Sequence, residues 1–155
     1  MSEKFPHNPL RFDARDLSAE AQLDLYAQLL LPRMIEEKMM SQLRQGKISK
    51  WFSGMGQEAI SVGVAAAMPR DKFIFPMHRN LGIFTTREVP LDRLFAQFQG
   101  KAHGFTQGRD RSFHFGSPEH RIVGMISHLG PQLGLADGVA LAEKLDETGG
   151  CSFVF

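Results

Sequence analysis

Three short apolar runs are all that this chain offers as β-strands: KFIF at 72–75, RIVGMIS at 121–127 and CSFVF at 151–155. Helical patterns lie between them, and alternating strands and helices imply an α/β fold built on a parallel sheet. Three strands are too few for a doubly wound sheet. The last run closes the chain on Val154 and Phe155, inside an apolar strand. In open α/β sheets the ligand-carrying loops follow the carboxyl ends of strands. The expectation is therefore an incomplete α/β domain, truncated before a functional loop.

Residues 1–17 hold Pro6, Pro9 and mixed charges without periodicity and read as an extended N-terminal arm, so the domain proper is 18–155. Ser18 is a suitable N-cap, and a long helix is expected from there to about Gln45, with Gly46 as its stop. Leu23, Tyr26, Leu30, Met34 and Leu43 fall near one face and would be its apolar side, with Glu36 and Glu37 opposite. Pro32 removes a donor and crowds the carbonyl of Gln28, which predicts a kink or break. SGMG at 53–56 is a turn, and Gln57–Met68 reads as a small-residue helix able to approach a neighbour closely. After KFIF come two further helices, in MHRNLGIFTTRE and over Leu91–Gln99, the second with Leu94, Phe95 and Phe98 on its apolar side. KAHGFTQGRDRSFHFGSPEH at 101–120 lacks hydrophobic periodicity, and a long loop inside a compact domain is usually functional or disordered. Pro131–Leu145 is a helix with proline in its first turn. Gly130, Gly134 and Gly138 leave one of its faces nearly bare, for which tight helix packing is the ordinary reading.

Composition narrows the class. With 43% hydrophobic and 23% charged residues the 155-residue chain is of the ordinary globular kind, large enough for one domain with a core. A formal net charge of +1 gives no reason to expect nucleic acid or an anionic membrane as the main partner. Cys151 is the single cysteine, which excludes an intrachain disulfide and fits a reducing, cytoplasmic setting. The first residues lack the apolar core of a secretory signal, and no run approaches the roughly 18 apolar residues of a membrane span. Thirteen Phe against one Trp and one Tyr read as core filling, because Phe has no polar tip to satisfy.

Met77-His78-Arg79-Asn80 follows the first strand and opens a helix, the kind of place where free N–H groups favour phosphate. Arg79 adds a planar fork of donors and His78 one more hydrogen bond. The competing reading is a surface arginine paired with a nearby acid. Five of the six histidines lie between His78 and His128, at spacings too irregular for zinc; a polar, cation-rich pocket wall fits them better. Arg109 and Arg111 flank Asp110 in the long loop, where solvation is their ordinary fate. Gly54-Met55-Gly56-Gln57-Glu58-Ala59 fits a G-x-G-x-x-A dinucleotide fingerprint, a weak signal here because ISKWF is a poor strand.

Three segments carry a resemblance: LRQGKISKWFSGMGQEAISVGVAAAM, DKFIFPMHRNLGIFTTREVPLDRLFAQFQGK and GRDRSFHFGSPEHRIVGMISHLGPQLGLADGVALA. In this order and spacing they resemble the N-terminal part of the alpha subunit of the thiamine-diphosphate-dependent decarboxylating component of 2-oxo acid dehydrogenase complexes. The wording is nearest to branched-chain members, and the likeness runs from about Leu23 to Phe155.

The resemblance implies an incomplete thiamine-diphosphate-binding parallel-sheet domain. It implies an oxidative decarboxylase of a 2-oxo acid that passes the acyl group to a lipoyl group on a partner acyltransferase. Thiamine diphosphate would lie between this chain and a beta subunit, separate or fused, in a heterotetramer-like assembly. His78-Arg79 matches the pair that contacts the diphosphate, with histidine where the family usually has tyrosine. Ser127-His128-Leu129 matches the loop whose backbone holds the aminopyrimidine, making Ser127 and Leu129 the candidates. Gln132 matches a position near a structural potassium ion in branched-chain members, although Pro131 replaces a usual polar neighbour. His114 aligns with a family histidine. Magnesium ligands, in a Gly-Asp-Gly motif with a later Asn, would lie beyond Phe155, and the glutamate that activates the cofactor belongs to the beta subunit. The 155 residues alone are expected to be inactive. Two other readings compete: a non-catalytic fragment or interaction module, and a dinucleotide-binding domain.

Overall fold

A computed structural model of the chain describes residues 16–125 and 129–155. The N-terminal arm up to residue 15, and Ser127 and His128, lie outside the described residues. The elements in order are α1 (Ala19–Arg44), α2 (Glu58–Ala67), β1 (Ile74–Phe75), α3 (Leu81–Thr86), α4 (Leu91–Phe98), a 3-10 turn (Pro118–His120), α5 (Pro131–Leu145) and β2 (Phe153–Val154). No helix among the described residues is long and apolar enough to cross a membrane.

Ser18 caps α1 as expected, its Oγ accepting from the Ala21 amide at 3.1 Å, and Gly46 follows the helix at φ +69°. The face α1 buries is not the one its sequence indicates. Leu23, Tyr26, Leu30 and Met34 are exposed, whereas Pro32, Ile35, Glu36, Met39 and Gln42 are buried. Only Leu43 of the expected set packs against the core. Glu36, expected on the polar side, is 1% exposed. Hydrogen bonding explains its place: its carboxylate accepts from Trp51 Nε1 at 2.7 Å and from the Gly54 amide at 2.9 Å. A buried carboxylate is tolerable when its oxygens are so engaged. Pro32 does not end the helix, which runs on to Arg44. Its ring is buried on the packed face, and core burial offsets the missing backbone hydrogen bond.

The sheet is parallel but small. β1 and β2 pair in the register Ile74↔Phe153 and Phe75↔Val154. On the other side of β1, Ile74 donates to the Arg121 carbonyl and accepts from Val123, both at 3.0 Å, so Ile122 forms a parallel bridge there. All three predicted runs thus meet around β1, though the described part of the 121–127 run, residues 121–125, contributes a bridge instead of a strand. β1 is buried; β2, expected to be buried, leaves Phe153 exposed.

Phe75, Phe84, Phe98, Phe113 and Phe115 are buried. Trp51 stands edge-on to Phe98 at 5.0 Å and Phe105 stacks on Phe115 at 4.5 Å. The close approach expected of α2 occurs at Gly82 of α3, where a Cβ would lie 2.5 Å from Ser61 Oγ. Gly134 and Gly138 of α5 face open space, so the tight packing expected there has no partner among the described residues.

At Gly54 two backbone segments cross closely. A Cβ on it would fall 2.1 Å from the Arg79 carbonyl oxygen, a rigid backbone atom. In the full-length protein, Gly54→Ala is expected to cost about 1–3 kcal/mol of stability by forcing the two segments apart. A thermal melt tests this, and an unchanged midpoint would contradict it.

Candidate functional site

The site begins where β1 ends. Pro76 leaves the strand, and a turn follows in which Asn80 Oδ1 accepts from the Met77 amide at 2.7 Å while the Asn80 amide donates to the Met77 carbonyl at 3.1 Å. Asn80 is buried, so this lock is internal. His78 and Arg79 ride on the outside of the turn. From one side Gly54 supports the Arg79 backbone. From the other, buried Gln132 donates to the Pro76 carbonyl at 3.0 Å. That bond brings the start of α5 to the strand end carrying His78 and Arg79. Gln132, expected near a potassium ion, is here a tether.

Arg79 is exposed and forms no ion pair among the described residues, which counts against its reading as half of a surface salt bridge. His78 is half-buried and meets the Phe52 ring edge-on at 4.9 Å. Burial, with help from the nearby Arg79 guanidinium and the His114 ring, holds its pKa below the ordinary imidazole value. At neutral pH the ring is therefore uncharged, with one nitrogen to donate and one to accept. Leu129 is exposed at the entry to α5, whose N-cap Gly130 takes φ 106°. Ser127 lies outside the described residues.

His78 lines a cleft of about 820 Å³. Lys47, Lys50, Arg109, Arg111 and His114 share its wall with, among the described residues, a single carboxylate, Asp110. Asp110 is engaged by the His114 ring, at 3.0 Å, and by the Arg111 amide, at 2.7 Å. A cleft with several cations and one bound acid favours anionic ligands. The cation-rich wall expected of the histidines exists, and of the described histidines His78 and His114 belong to it while His103 and His120 do not. His103 pairs with Asp92 at 2.9 Å, and His120 with Ser117 at 2.7 Å. Arg109 and Arg111, expected to be merely solvated, are exposed yet line the cleft.

The glycine turn at 54–56 does not behave as a dinucleotide site. Among the described residues no strand precedes it. The Gly54 amide donates to Glu36, and the Gly56 amide donates to Glu58 at 2.9 Å. Glu58 also bonds Arg33 at 2.7 Å, the main cause of its lowered pKa. Both amides that would cradle a phosphate are held by carboxylates, and anions do not gather there.

Sequence reasoning missed Glu36 and the lysines of the cleft. A signal for Glu36 existed in the spacing of Pro32, Ile35 and Met39, which places it on the packed face, and in the lone Trp51, whose N–H requires an acceptor.

Residues 26–155 match the model of the family described as "Dehydrogenase E1 component". The chain is 33% identical over 146 residues to the 2-oxoisovalerate dehydrogenase subunit alpha of Bacillus subtilis, covering 93% of this chain and 44% of that one. It is 32% identical over 128 residues to the mitochondrial human subunit alpha, covering 83% and 29% respectively. The Dictyostelium discoideum mitochondrial subunit is 30% identical over 140 residues, covering 90% and 32%. The chain thus spans under half the length of these relatives. The family match over residues 26–155 makes the chain a member of the dehydrogenase E1 component family, corresponding to an N-terminal part of the alpha subunits.

Proposed function

We propose that this chain supplies one side of a thiamine-diphosphate site in a branched-chain 2-oxo acid dehydrogenase. The observation that carries the reading is the placement of exposed Arg79 next to half-buried His78 at the carboxyl end of β1, beside a cationic cleft. The residues fit a diphosphate: a guanidinium fork, an imidazole N–H and a wall with one, already engaged, carboxylate. When bound, thiamine diphosphate supplies an electron sink for decarboxylation of a 2-oxo acid.

The chain's own residues bind and orient. Arg79 offers bidentate hydrogen bonds to a phosphate, and His78 adds a donor without the cost of a second fixed charge. Phe52 shields the imidazole from water. Backbone groups at Ser127 and Leu129 are proposed to hold the aminopyrimidine, at the α5 entry that Gln132 ties to β1. Magnesium ligands would come from a segment after Phe155. A beta subunit and a lipoyl-bearing acyltransferase complete the assembly.

Arg79→Ala in the full-length protein with its beta subunit is expected to weaken thiamine diphosphate by about 10- to 150-fold, the worth of a charge-assisted hydrogen bond of roughly 1.5–3 kcal/mol. Arg79→Lys should recover part of it. Calorimetric titration decides; unchanged affinity with a lowered melting temperature would make Arg79 structural instead.

Substrate preference is tested by turnover of 2-oxoisovalerate against pyruvate. The branched acid is expected to be favoured by about 10-fold or more, since pocket contacts separate such substrates by roughly 1–3 kcal/mol per methylene. A clear pyruvate preference would overturn the branched-chain assignment.

The His78 titration follows from its surroundings. In ligand-free protein its midpoint should lie below the ordinary imidazole value, because burial disfavours the cation. Stability is then lost as pH falls from the ordinary value toward His78's own lower one. A bound diphosphate should raise the midpoint, so affinity should tighten as pH falls through that range. Proton NMR of the imidazole follows both; a ligand-free midpoint at or above the ordinary value would contradict the burial argument.

A further inference from the structure

The cations Arg109 and Arg111 stand on a segment without helix or strand, so something must fix where they face. Gln97 does this from the apolar side of α4. It is 2% exposed, between the buried residues Leu94 and Phe98. Its carboxamide oxygen accepts from the Thr106 amide at 2.9 Å and the Thr106 hydroxyl at 3.1 Å. Its Nε2 donates to the Arg111 carbonyl at 3.0 Å. One buried side chain thus ties the segment at Thr106, before Arg109, and at Arg111 itself.

The backbone reinforces the tie. A Cβ on Gly104 would fall 2.7 Å from the Gln97 Cα, and a Cβ on Gly108 would fall 2.6 Å from the Gly100 carbonyl oxygen. The loop therefore lies on α4 at Gly104 and closes on itself at Gly108. Gly108 has φ +77°, a conformation that penalises side chains as well. After these contacts the chain emerges at Arg109, on the cleft wall.

We propose that Gln97 is a positioning residue for the anionic ligand of the cleft, acting through Arg109 and Arg111. This rests on the reading of the cleft as the cofactor side of the site. Only a carboxamide meets both requirements, since it accepts on one arm and donates on the other. Apolar replacement leaves the Thr106 amide and the Arg111 carbonyl without their partner. The expected result is a loop that opens and cations that no longer converge.

The test uses the full-length protein with its beta subunit and thiamine diphosphate as the probe. Gln97→Met, which keeps length and removes both hydrogen-bonding arms, should lose exchange protection at the Thr106 amide. Tryptic cleavage after Arg109 and Arg111 should quicken, and the cofactor dissociation constant should rise about tenfold. At saturating cofactor kcat should return toward the parent value, a split that general unfolding would not produce. Gln97→Glu, which keeps the acceptor arm, should retain Thr106 protection and part of the affinity. Arg109→Ala combined with Arg111→Ala, at exposed positions, should weaken the cofactor with the Thr106 amide still protected, and so tests the route even if the Gln97 variants fold poorly. Full cofactor affinity in that double variant would overturn the proposal, as would a protected Thr106 amide in Gln97→Met. Arg79→Ala separates the two layers. If it weakens the cofactor and the loop variants do not, the positioning role alone fails; if none of them does, the cofactor reading fails as well.

Discussion

Two carboxylates hold the turn on which this site is built. Glu36, from the buried face of α1, takes the Gly54 amide, and Glu58, at the start of α2, takes the Gly56 amide. Glu36 also takes the Trp51 indole, whose ring joins the aromatic cluster of Phe98 and Phe113. Because Gly54 has no side chain, the Arg79 carbonyl can lie against it. The position of Arg79 is thus inherited from helix α1 through a single glycine. Buried charge-assisted hydrogen bonds of this kind are worth roughly 1.5–3 kcal/mol each, and leaving such donors unpaired costs a comparable amount.

This arrangement separates negative from positive within a short distance. The acids lie beneath the turn, bonded to backbone amides. The cations Arg79, Arg109 and Arg111 are exposed, the last two on the cleft wall. An anion is therefore repelled from the glycine turn and attracted to the cleft. Long cationic side chains lose much rotational freedom when they bind a ligand. Rigid supports beneath them, the Met77–Asn80 turn for Arg79 and the Gln97-tied loop for Arg109 and Arg111, limit what remains to be ordered.

Much of this was legible in the sequence where a local signal was strong. Ser18, Gly46 and Pro131 mark helix ends by their own chemistry, and α1 and α5 follow them. KFIF followed by Pro76 and His78-Arg79 located the strand end and the two donor side chains beside it. What was illegible depended on tertiary partners. The packed face of α1 carries Glu36 and Gln42, which a hydrophobicity pattern assigns to solvent, while the exposed Leu23 and Tyr26 imitate a core stripe. Pro32 suggested a break, because burial of its ring is not a local property. The dinucleotide pattern at 54–59 fails partly for the same reason: Glu36 reaches the Gly54 amide from α1, while Glu58, within the pattern itself, takes the Gly56 amide. Gln97 carries no local signal of its role, because the loop it ties is fixed only in the folded chain.

The most direct test of the Arg79 assignment is an experimental structure of the full-length protein with its beta subunit and thiamine diphosphate bound. The diphosphate oxygens are expected within hydrogen-bond reach of the Arg79 guanidinium and the His78 ring, with the Gly54 and Gly56 amides still on Glu36 and Glu58. A diphosphate seated on those two amides, or an Arg79 turned to a carboxylate with the cofactor bound elsewhere, would contradict it.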